Sequence, residues 1–320
     1  MDRPRHVVSI SLGSSARDKR VETELLGQRI IIERIGTDGD YQRFCRRLRE
    51  VDGRVDAIGI GGINLTLAAG RRRYYIRDAV RATSGLRTPV VDGSGVKEGW
   101  ERHVILHVLP REMGTPLRGR RVLLTSSVDR FGMAEAFVEG GADVVFGDLM
   151  FALGIPVGLR GLITVKVLGA LLLPVFTRLP FSWLYPTGER QAQITPRFGR
   201  AYGWAEVIAG DFHFIRRHLP DDLSGKTILT NTITPEDLAL LRQRRLSLLL
   251  TTTPEMDGRS FATNVLQAAL VALSGRSPAD LTPADYLDLM RRAGFAPRVE
   301  RLAPPPGARE QEFPKDELNG

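Results

Sequence analysis

Small polar side chains follow several predicted strands in the second half of the chain. Ser126, Ser127 and Arg130 follow one strand, Asp148 follows the next, and Asn231 follows a later one. In an open parallel sheet, ligands bind beyond the carboxyl ends of the strands, where these residues would gather. Hydroxyl, amide and charged groups at that edge suit a nucleotide or a sugar-like molecule, because such ligands need many hydrogen bonds. We therefore predict a binding site there.

The spacing of these residues suggests a cofactor. Asp148 follows Ser126 at roughly the 20-residue spacing at which an acid holds the ribose of a dinucleotide. The intervening loop has one glycine, Gly132, and lacks a G-x-G-x-x-G pattern. Asp129 would repel a pyrophosphate, although Arg130 could compensate. Two interpretations therefore stay open: a domain that binds NAD or NADP through the five residues above, and one that binds another ligand or none.

The first half of the chain offers a second group of polar residues. Asn64 and Thr66 directly follow a buried strand that ends in two glycines, and Asp92 lies in the glycine turn after another strand. Lys97 is the lysine close to these elements, and Arg71 is the nearest arginine. Each glycine-rich segment alone is typical of a tight turn. Together, and ahead of a nucleotide-type sheet, they favour a site that holds hydroxyl groups.

Strands that alternate with helices predict an α/β protein with parallel sheets. We predict an N-terminal α/β domain for the substrate, followed by a Rossmann-like doubly wound parallel sheet. Local signals support individual elements: Asp40 can cap a helix, Gly27 suits a hairpin, and Thr234 precedes a proline at a helix start. The predicted units are residues 1–116, residues 117–275 with an apolar insertion at 151–200, a helix and strand at 276–303, and a disordered tail at 304–320.

Composition and charge limit the classes of molecule that we expect the chain to bind. The chain has 320 residues and a net charge of +8, and only five of its 45 basic residues are lysines. No zinc spacing, RNP-type strand or recognition helix accompanies the arginines, so we predict neither nucleic acid nor a metal as partner. A small anionic or polyol ligand is favoured instead. One cysteine, Cys45, permits no internal disulfide, and the N-terminus has no signal-like segment, so we expect a cytoplasmic protein.

Residues 162–185 are strongly apolar. Their longest apolar run without a charge covers residues 167–174, far short of the roughly 20 residues that cross a bilayer. Such a segment would expose too much apolar surface unless it is packed. We expect a lid or a homodimer interface rather than a membrane-surface helix.

The order of these pieces resembles that of the shikimate/quinate dehydrogenase family, which includes bacterial quinate 5-dehydrogenases. The stretch from Gly62 to Gly70 is similar to the family's G-x-N-V-T-x-P-x-K run, and matches it at Asn64 and Thr66. Gly70 stands where the family has its lysine. Residues 90–95 resemble the family's N-T-D-G-x-G, and the helix predicted for residues 261–273 resembles the one that returns to the substrate domain.

The resemblance implies an NAD(P)-linked oxidoreductase that acts on a cyclic polyol acid of the quinate or shikimate type. Lys97 and Asp92 would be the catalytic residues, with NAD preferred over NADP because Asp148 would repel a 2′-phosphate. The implied substrate-binding residues are Asn64, Thr66, Ser14, Ser15, Arg71 and Gln267. The main alternative is a non-catalytic, ligand-binding or regulatory relative of the family. A further alternative is a membrane-surface or partner-binding protein that uses residues 162–185.

Overall fold

The structure is a computed structural model that describes residues 3–180, 194–256, 259–260 and 262–302, with only the backbone described for residues 255, 256, 259 and 260. The predicted tail at 304–320, residues 181–185 of the apolar segment and Phe261 lie outside the described residues.

The described strands form two large sheets and two short hairpins. In chain order they are β1 (Arg5–Ser11), β2 (Lys19–Leu25), β3 (Gln28–Gly36), β4 (Ala57–Gly61), β5 (Thr66–Ala69), β6 (Arg72–Tyr75), β7 (Val90–Val91), β8 (Arg121–Leu124), β9 (Asp143–Phe146), β10 (Leu159–Arg160), β11 (Val207–Ala209), β12 (Thr227–Thr230), β13 (Leu248–Thr251), β14 (Glu255–Met256), β15 (Arg259–Ser260) and β16 (Arg298–Arg301).

The described helices surround these sheets. They are α1 (Tyr41–Val51), α2 (Arg77–Thr83), α3 (residues 94–113), α4 (Phe131–Glu139), α5 (Asp148–Leu153), α6 (Leu162–Phe176), α7 (Gly199–Trp204), α8 (Phe212–Arg217), α9 (Pro235–Gln243), α10 (Thr263–Ser274) and α11 (Pro283–Arg292), together with 3₁₀ turns at Ser15–Arg17 and Pro278–Asp280. Within the described residues, none of the helices is long and apolar enough to cross a membrane.

The first sheet has the strand order β2-β3-β1-β4-β7. β1 pairs in parallel with β3 and β4, and β4 pairs in parallel with β7. β2 runs antiparallel to β3, which confirms the hairpin predicted around Gly27. The side chain of Asp40 accepts the backbone N–H of Arg43 at 2.9 Å, so the predicted cap of α1 is also present.

The second sheet has the strand order β10-β9-β8-β11-β12-β13-β16. Its five central strands are parallel, whereas both edge strands, β10 and β16, are antiparallel to their neighbours. The chain is therefore a mixed α/β protein, and the prediction of a purely parallel second sheet is corrected at its edges. Antiparallel edge strands on a parallel sheet are common, because an edge strand needs no crossover helix to reach its place.

α3 connects the two sheets and was not predicted. The predicted strand at residues 89–95 is only two residues long, as β7, and the chain turns into α3 at Gly93. Gly93 has a φ of 92°, and a Cβ there would lie 2.6 Å from the Thr263 hydroxyl, so only glycine fits. α3 contains two π-helical stretches, Lys97–Glu101 and Val104–Val108.

α10 packs against the first sheet although it follows the second one in the chain. A Cβ at Gly59 of β4 would come within 2.7 Å of the Asn264 carbonyl oxygen, which shows how closely α10 approaches the strand. The Asn264 side chain also donates to the Ser9 hydroxyl at 2.8 Å. The chain thus crosses between the sheets three times, through α3, ahead of α10 and again ahead of β16.

The β5–β6 hairpin reaches from the first half of the chain to the second sheet. The backbone N–H of Ala68 donates to the carbonyl of Val128, in the loop after β8, at 2.9 Å. α6 packs on this hairpin, with Gly169 against Ala69. The hairpin, α3 and the loop after β8 therefore enclose one region between the two sheets.

Candidate functional site

A cluster of charged residues fills the region between the two sheets. Lys97 and Glu101 come from α3, and Asp129 and Arg130 come from the loop between β8 and α4. Asp211 follows β11 and completes the cluster. Both β8 and β11 end at this edge of the second sheet, so two neighbouring strands and one connecting helix position all five side chains.

Lys97, Asp129 and Asn64 contact one another across the two halves of the chain. The ammonium group of Lys97 lies 3.2 Å from the Asp129 carboxylate and 3.4 Å from the Asn64 amide oxygen. The Asn64 amide nitrogen donates to the same Asp129 oxygen at 2.5 Å. Burial raises the pKa of Asp129, but Lys97 and Arg130 outweigh it and hold that pKa below its usual value. Asp129 is therefore ionised at neutral pH.

Arg130 lies at the centre of the cluster, with a side chain that is 1% exposed. Its guanidinium contacts the carboxylate of Glu101, whose side chain is fully buried, and lies 3.3 Å from Asp211. Burial lowers the pKa of Arg130, but Glu101, Asp129 and Asp211 more than reverse this effect, so the pKa is raised and the residue stays charged. Asp211 in turn accepts the Asn231 amide at 2.8 Å.

Two buried polar atoms in this cluster lack a hydrogen-bond partner among the described residues. They are the Oε2 atom of Glu101 and the Nε atom of Arg130, which is 3.7 Å from the Asp129 carboxylate. Both side chains line a cavity of about 30 Å³, together with Thr66, Lys97 and Asp129. A cavity of this size holds about one water molecule. Since buried polar atoms are nearly always paired, the two unpaired atoms indicate that the site accepts a further polar group.

A family model with the description "Domain of unknown function (DUF8754)" matches residues 95–302, which include every charged residue of this cluster. The chain belongs to the DUF8754 family. A second model, "Domain of unknown function (DUF8753)", matches residues 6–92, where Asn64 and Thr66 lie. In the DUF8754 chain the cleft between the sheets thus combines side chains from both matched regions. A search of curated proteins found no match.

Solved structures show only weak likeness to this DUF8754 protein. A structure from Mycobacterium smegmatis in complex with β-D-fucofuranose is 9% identical, with a TM-score of 0.37, and the match covers 93% of this chain and 91% of the other. An ABC transporter solute-binding protein from Burkholderia multivorans is 12% identical over 94% and 100% of the two chains, with a TM-score of 0.37. A 5-methylthioribose transporter solute-binding protein from Thermotoga lettingae is 11% identical over 92% and 85%, with a TM-score of 0.39.

The predicted membership of the shikimate/quinate dehydrogenase family is wrong. The family model that matches residues 95–302 is DUF8754. The predicted NAD(P)-linked oxidation of a quinate-type substrate is wrong with it, as is the prediction of an NAD(P)-dependent dehydrogenase. Lys97, proposed as a catalytic partner of Asp92, pairs with Asp129 instead.

The prediction of NAD or NADP as a cofactor is also wrong. The Asp148 carboxylate accepts the backbone N–H groups of Ser127 and Val128 at 2.8 and 3.1 Å, as well as the Ser127 hydroxyl. These are the groups that a pyrophosphate would need from the loop. Of the other predicted cofactor residues, Ser126 is buried beside this loop, while Arg130 and Asn231 are bound to Asp211.

Asp92, predicted as catalytic, and Gln267, predicted to bind substrate, both form hydrogen bonds with the backbone around Gly93. Asp92 accepts the backbone N–H groups of Leu65 and Ser94 at 2.7 and 3.0 Å, so both its oxygens serve the turn. Gln267 accepts the N–H of Gly93 at 2.8 Å and donates to the Tyr286 hydroxyl at 3.0 Å. A sequence pattern does not separate such roles from ligand binding, since both need a polar residue at a strand end.

The remaining predicted substrate residues divide between the cavity and the surface. Asn64 and Thr66 lie at the cavity, as expected for a site in the cleft. Ser14 caps a 3₁₀ turn and Ser15 follows it, and neither lines the cavity. Arg71 is exposed at the tip of the β5–β6 hairpin.

Glu101 and Asp211 are the residues of the site that the sequence analysis did not select. Asp211 has a visible signal, because it follows a predicted strand directly and the carboxyl ends of such strands meet at one edge. Glu101 has a weaker one, since it is an acid that stands just ahead of the apolar run from Val104 to Val108. The Trp100 indole, one residue before it, donates to the Thr252 carbonyl at 2.5 Å and fixes this turn of α3 on the second sheet.

Proposed function

We propose that this chain is a ligand-binding protein that holds a small, uncharged polyhydroxylated molecule in the cleft between its two sheets. The observation that carries this proposal is the pair of buried, unpaired atoms, Glu101 Oε2 and Arg130 Nε, at the wall of the same cavity. One atom is a hydrogen-bond acceptor and the other is a donor. A hydroxyl group both donates and accepts, so a hydroxyl-rich ligand can satisfy the two together.

The charge of the cluster favours a neutral ligand over an anionic one. Two cations, Lys97 and Arg130, already contact three carboxylates, those of Glu101, Asp129 and Asp211. An added anion would meet an excess of negative charge in a buried site. Like charges repel strongly there, because water screens them weakly. A neutral polyol avoids this cost and still gains charge-assisted hydrogen bonds from both signs.

The topology supports this position for a ligand. The parallel strands of the second sheet run outward from β8 to β9 on one side and from β11 to β12 and β13 on the other. In a doubly wound sheet, the strand order reverses between two neighbouring strands, here β8 and β11. Ligands of these folds bind at that position, beyond the carboxyl ends of the strands. Arg130 follows β8 and Asp211 follows β11, so their ion pair lies at the point of reversal.

Binding of a sugar-sized molecule requires the cleft to open. A cavity of about 30 Å³ is far smaller than the roughly 300 Å³ of ordinary ligand sites. The chain crosses between the sheets through α3, ahead of α10 and again ahead of β16, and such connecting segments suit hinge motion. In the described state Lys97 and Asp129 both contact Asn64. The ligand would replace these contacts.

A thermal-shift screen tests the proposal, with D-galactose, D-ribose and myo-inositol as neutral probes and quinate as the anionic counterpart. We expect at least one neutral probe to raise the melting temperature by a few degrees, since saturation at about 100 times Kd stabilises a protein by about 2.7 kcal/mol. Asp129→Asn should weaken that binding about tenfold or more, because it removes one charged hydrogen-bonding group.

Asp56→Asn is the matched control. Asp56 is also a mostly buried acid in ion pairs, but with Arg3 and Arg5 at the far side of the first sheet. Its substitution should leave ligand affinity unchanged. Failure of every probe, or equal affinity of the wild type and Asp129→Asn, would contradict the proposal. A cytoplasmic location and a homodimer, both expected from the sequence, stay predictions.

A further inference from the structure

We propose that a second pocket, between the β5–β6 hairpin and the C-terminal end of α6, binds a phosphate group. The pocket has a volume of about 530 Å³, and its lining shares Arg73, but no other residue, with that of the cavity in the cleft. Its wall carries three arginines, Arg73, Arg77 and Arg178, and two tyrosines, Tyr74 and Tyr75. Guanidinium groups match the oxygens of phosphate through their fork of N–H donors.

The charge of the pocket is suited to a divalent anion. Arg73 lies 2.5 Å from the Glu98 carboxylate, which neutralises one of the three guanidiniums. Arg77 and Arg178 have no carboxylate within ion-pair distance among the residues that the structure describes. Two positive charges therefore remain, and a phosphate monoester carries about −1.5 to −2 at pH 7. A carboxylate would neutralise only one of them.

An unpaired hydroxyl supports the same assignment. The Tyr74 hydroxyl oxygen is shielded from solvent and lacks a hydrogen-bond partner among the described residues. Such a group can donate to a phosphate oxygen and so gain the bond that it lacks. Tyr74 lines the pocket together with Arg73, Arg77 and Arg178.

The backbone around the pocket is held in place by contacts between the two walls. The N–H of Arg77 donates to the carbonyl of Thr177 at 2.9 Å, which ties the start of α2 to the end of α6. The N–H of Ile76 donates to the Leu65 carbonyl, also at 2.9 Å. Arg77 and Arg178 are therefore attached to fixed backbone on opposite sides, and little backbone ordering is needed on binding.

An apolar surface continues from the pocket along α6. Leu171 and Val175 are 68% and 61% exposed, and Tyr75 on the hairpin is 65% exposed. The phosphate could belong to a free small molecule or to the headgroup of an anionic lipid whose acyl chains meet this surface. The shared chemistry is the phosphate group, and the two sources are separated by experiment.

Titration calorimetry with inorganic phosphate, and with acetate as the carboxylate reference, tests the pocket. Flotation with vesicles of phosphatidic acid in phosphatidylcholine, against pure phosphatidylcholine, tests the lipid source. The variant is Arg77→Gln with Arg178→Gln. The control is Arg46→Gln with Arg54→Gln, two exposed arginines outside the pocket, which removes the same formal charge.

We expect the pocket variant to weaken binding of phosphate or of phosphatidic acid vesicles about tenfold or more, while the control stays within about twofold of the wild type. Tyr74→Phe, which keeps the ring, should weaken it by a smaller factor. Binding of phosphate assigns a free ligand, and binding of the acidic vesicles alone assigns a headgroup. The proposal is overturned if neither probe binds, if acetate binds as tightly as phosphate, or if both double variants behave alike.

Discussion

Asp129 and Asp148 are two partly buried carboxylates that contact the same loop after β8, and their surroundings differ. Asp148 accepts hydrogen bonds from two backbone N–H groups and one hydroxyl of that loop. Asp129 contacts the side chains of Lys97 and Asn64, which come from other parts of the chain, and that of the adjacent Arg130. Burial raises the pKa of Asp148, whereas nearby cations lower that of Asp129.

The difference separates a carboxylate that shapes the fold from one that belongs to a site. The contacts of Asp148 use the N–H groups of Ser127 and Val128 and the Ser127 hydroxyl, which a phosphate at this loop would need. The contacts of Asp129 are charged side chains that can rearrange, and beside them Glu101 and Arg130 each retain an unpaired atom. A polar residue at a strand end is therefore informative only when its partners are known. Three experiments test this difference between Asp129 and Asp148.

The largest expected effect is that of Arg130→Met, which removes the central cation of the charged cluster. Among the described residues, Glu101 would keep only the Thr252 hydroxyl, 3.4 Å away, as a hydrogen-bond partner, and it would remain fully buried. Loss of one partner from a buried ion pair lowers the free energy of unfolding by about 3–5 kcal/mol. Chemical denaturation measures this change.

Two further variants support the interpretation of that result. Adding Glu101→Gln to Arg130→Met should recover part of the loss, because the buried charge is removed. Arg46→Met, at an exposed site, should change the free energy of unfolding by no more than about 0.5 kcal/mol. A loss below about 1 kcal/mol for Arg130→Met would mean that the cluster opens to water and is not a dry site.

A smaller effect is expected at Asp148, and the two substitutions should differ. Asp148→Ala leaves the N–H groups of Ser127 and Val128 without an acceptor. Since an unpaired buried donor costs about 1–3 kcal/mol, we expect a loss of about 2–4 kcal/mol. Asp148→Asn keeps an oxygen for both N–H groups and an amide that can donate to the Ser127 hydroxyl, so its cost should be below about 1 kcal/mol. Equal losses in the two variants would show that the charge itself matters.

Local signals predicted the elements well where the decisive contact lies within a few residues. Thr234 accepts the N–H of Asp237 at 3.2 Å, and Asp237 accepts the N–H of Thr234 at 3.0 Å, so the helix start at Pro235 follows from neighbouring residues alone. The edges of the second sheet were not predictable in this way. β16 pairs with β13 only because the chain returns after α11, which is a long-range event.

The site was predicted only in part, because some of its contacts follow from local sequence and others join residues far apart in the chain. Asn64, Thr66 and Arg130 lie at strand ends, and the rule that such ends gather holds for them. Glu101 lies on α3, which carried no strong start signal: its N-terminal residue follows Gly93, which offers no side chain for a cap. Its role depends on Arg130, which is 29 residues away in sequence. Contacts of that range come from the topology and not from local pattern.

The smallest expected effect is a change of folding stability with pH. Asp148 and Asp129 should contribute to that stability in opposite pH ranges. The raised pKa of Asp148 means that the folded state binds this proton more tightly than the unfolded state, whose pKa is about 3.9. Its contribution to stability is therefore complete below about pH 4 and is lost as pH rises through the folded pKa. The lowered pKa of Asp129 has the reverse consequence, so that its contribution is present above about pH 4 and is lost as pH falls further.

Chemical denaturation of the wild type, Asp148→Asn and Asp129→Asn, at on the order of ten pH values between 2.5 and 8, separates the contributions of the two carboxylates. Stability of the wild type relative to Asp148→Asn should rise on acidification from neutral pH to about 4, and stability relative to Asp129→Asn should fall only below about 4. If both differences changed in the same direction, the two carboxylates would share one environment and the distinction between fold and site at this loop would fail.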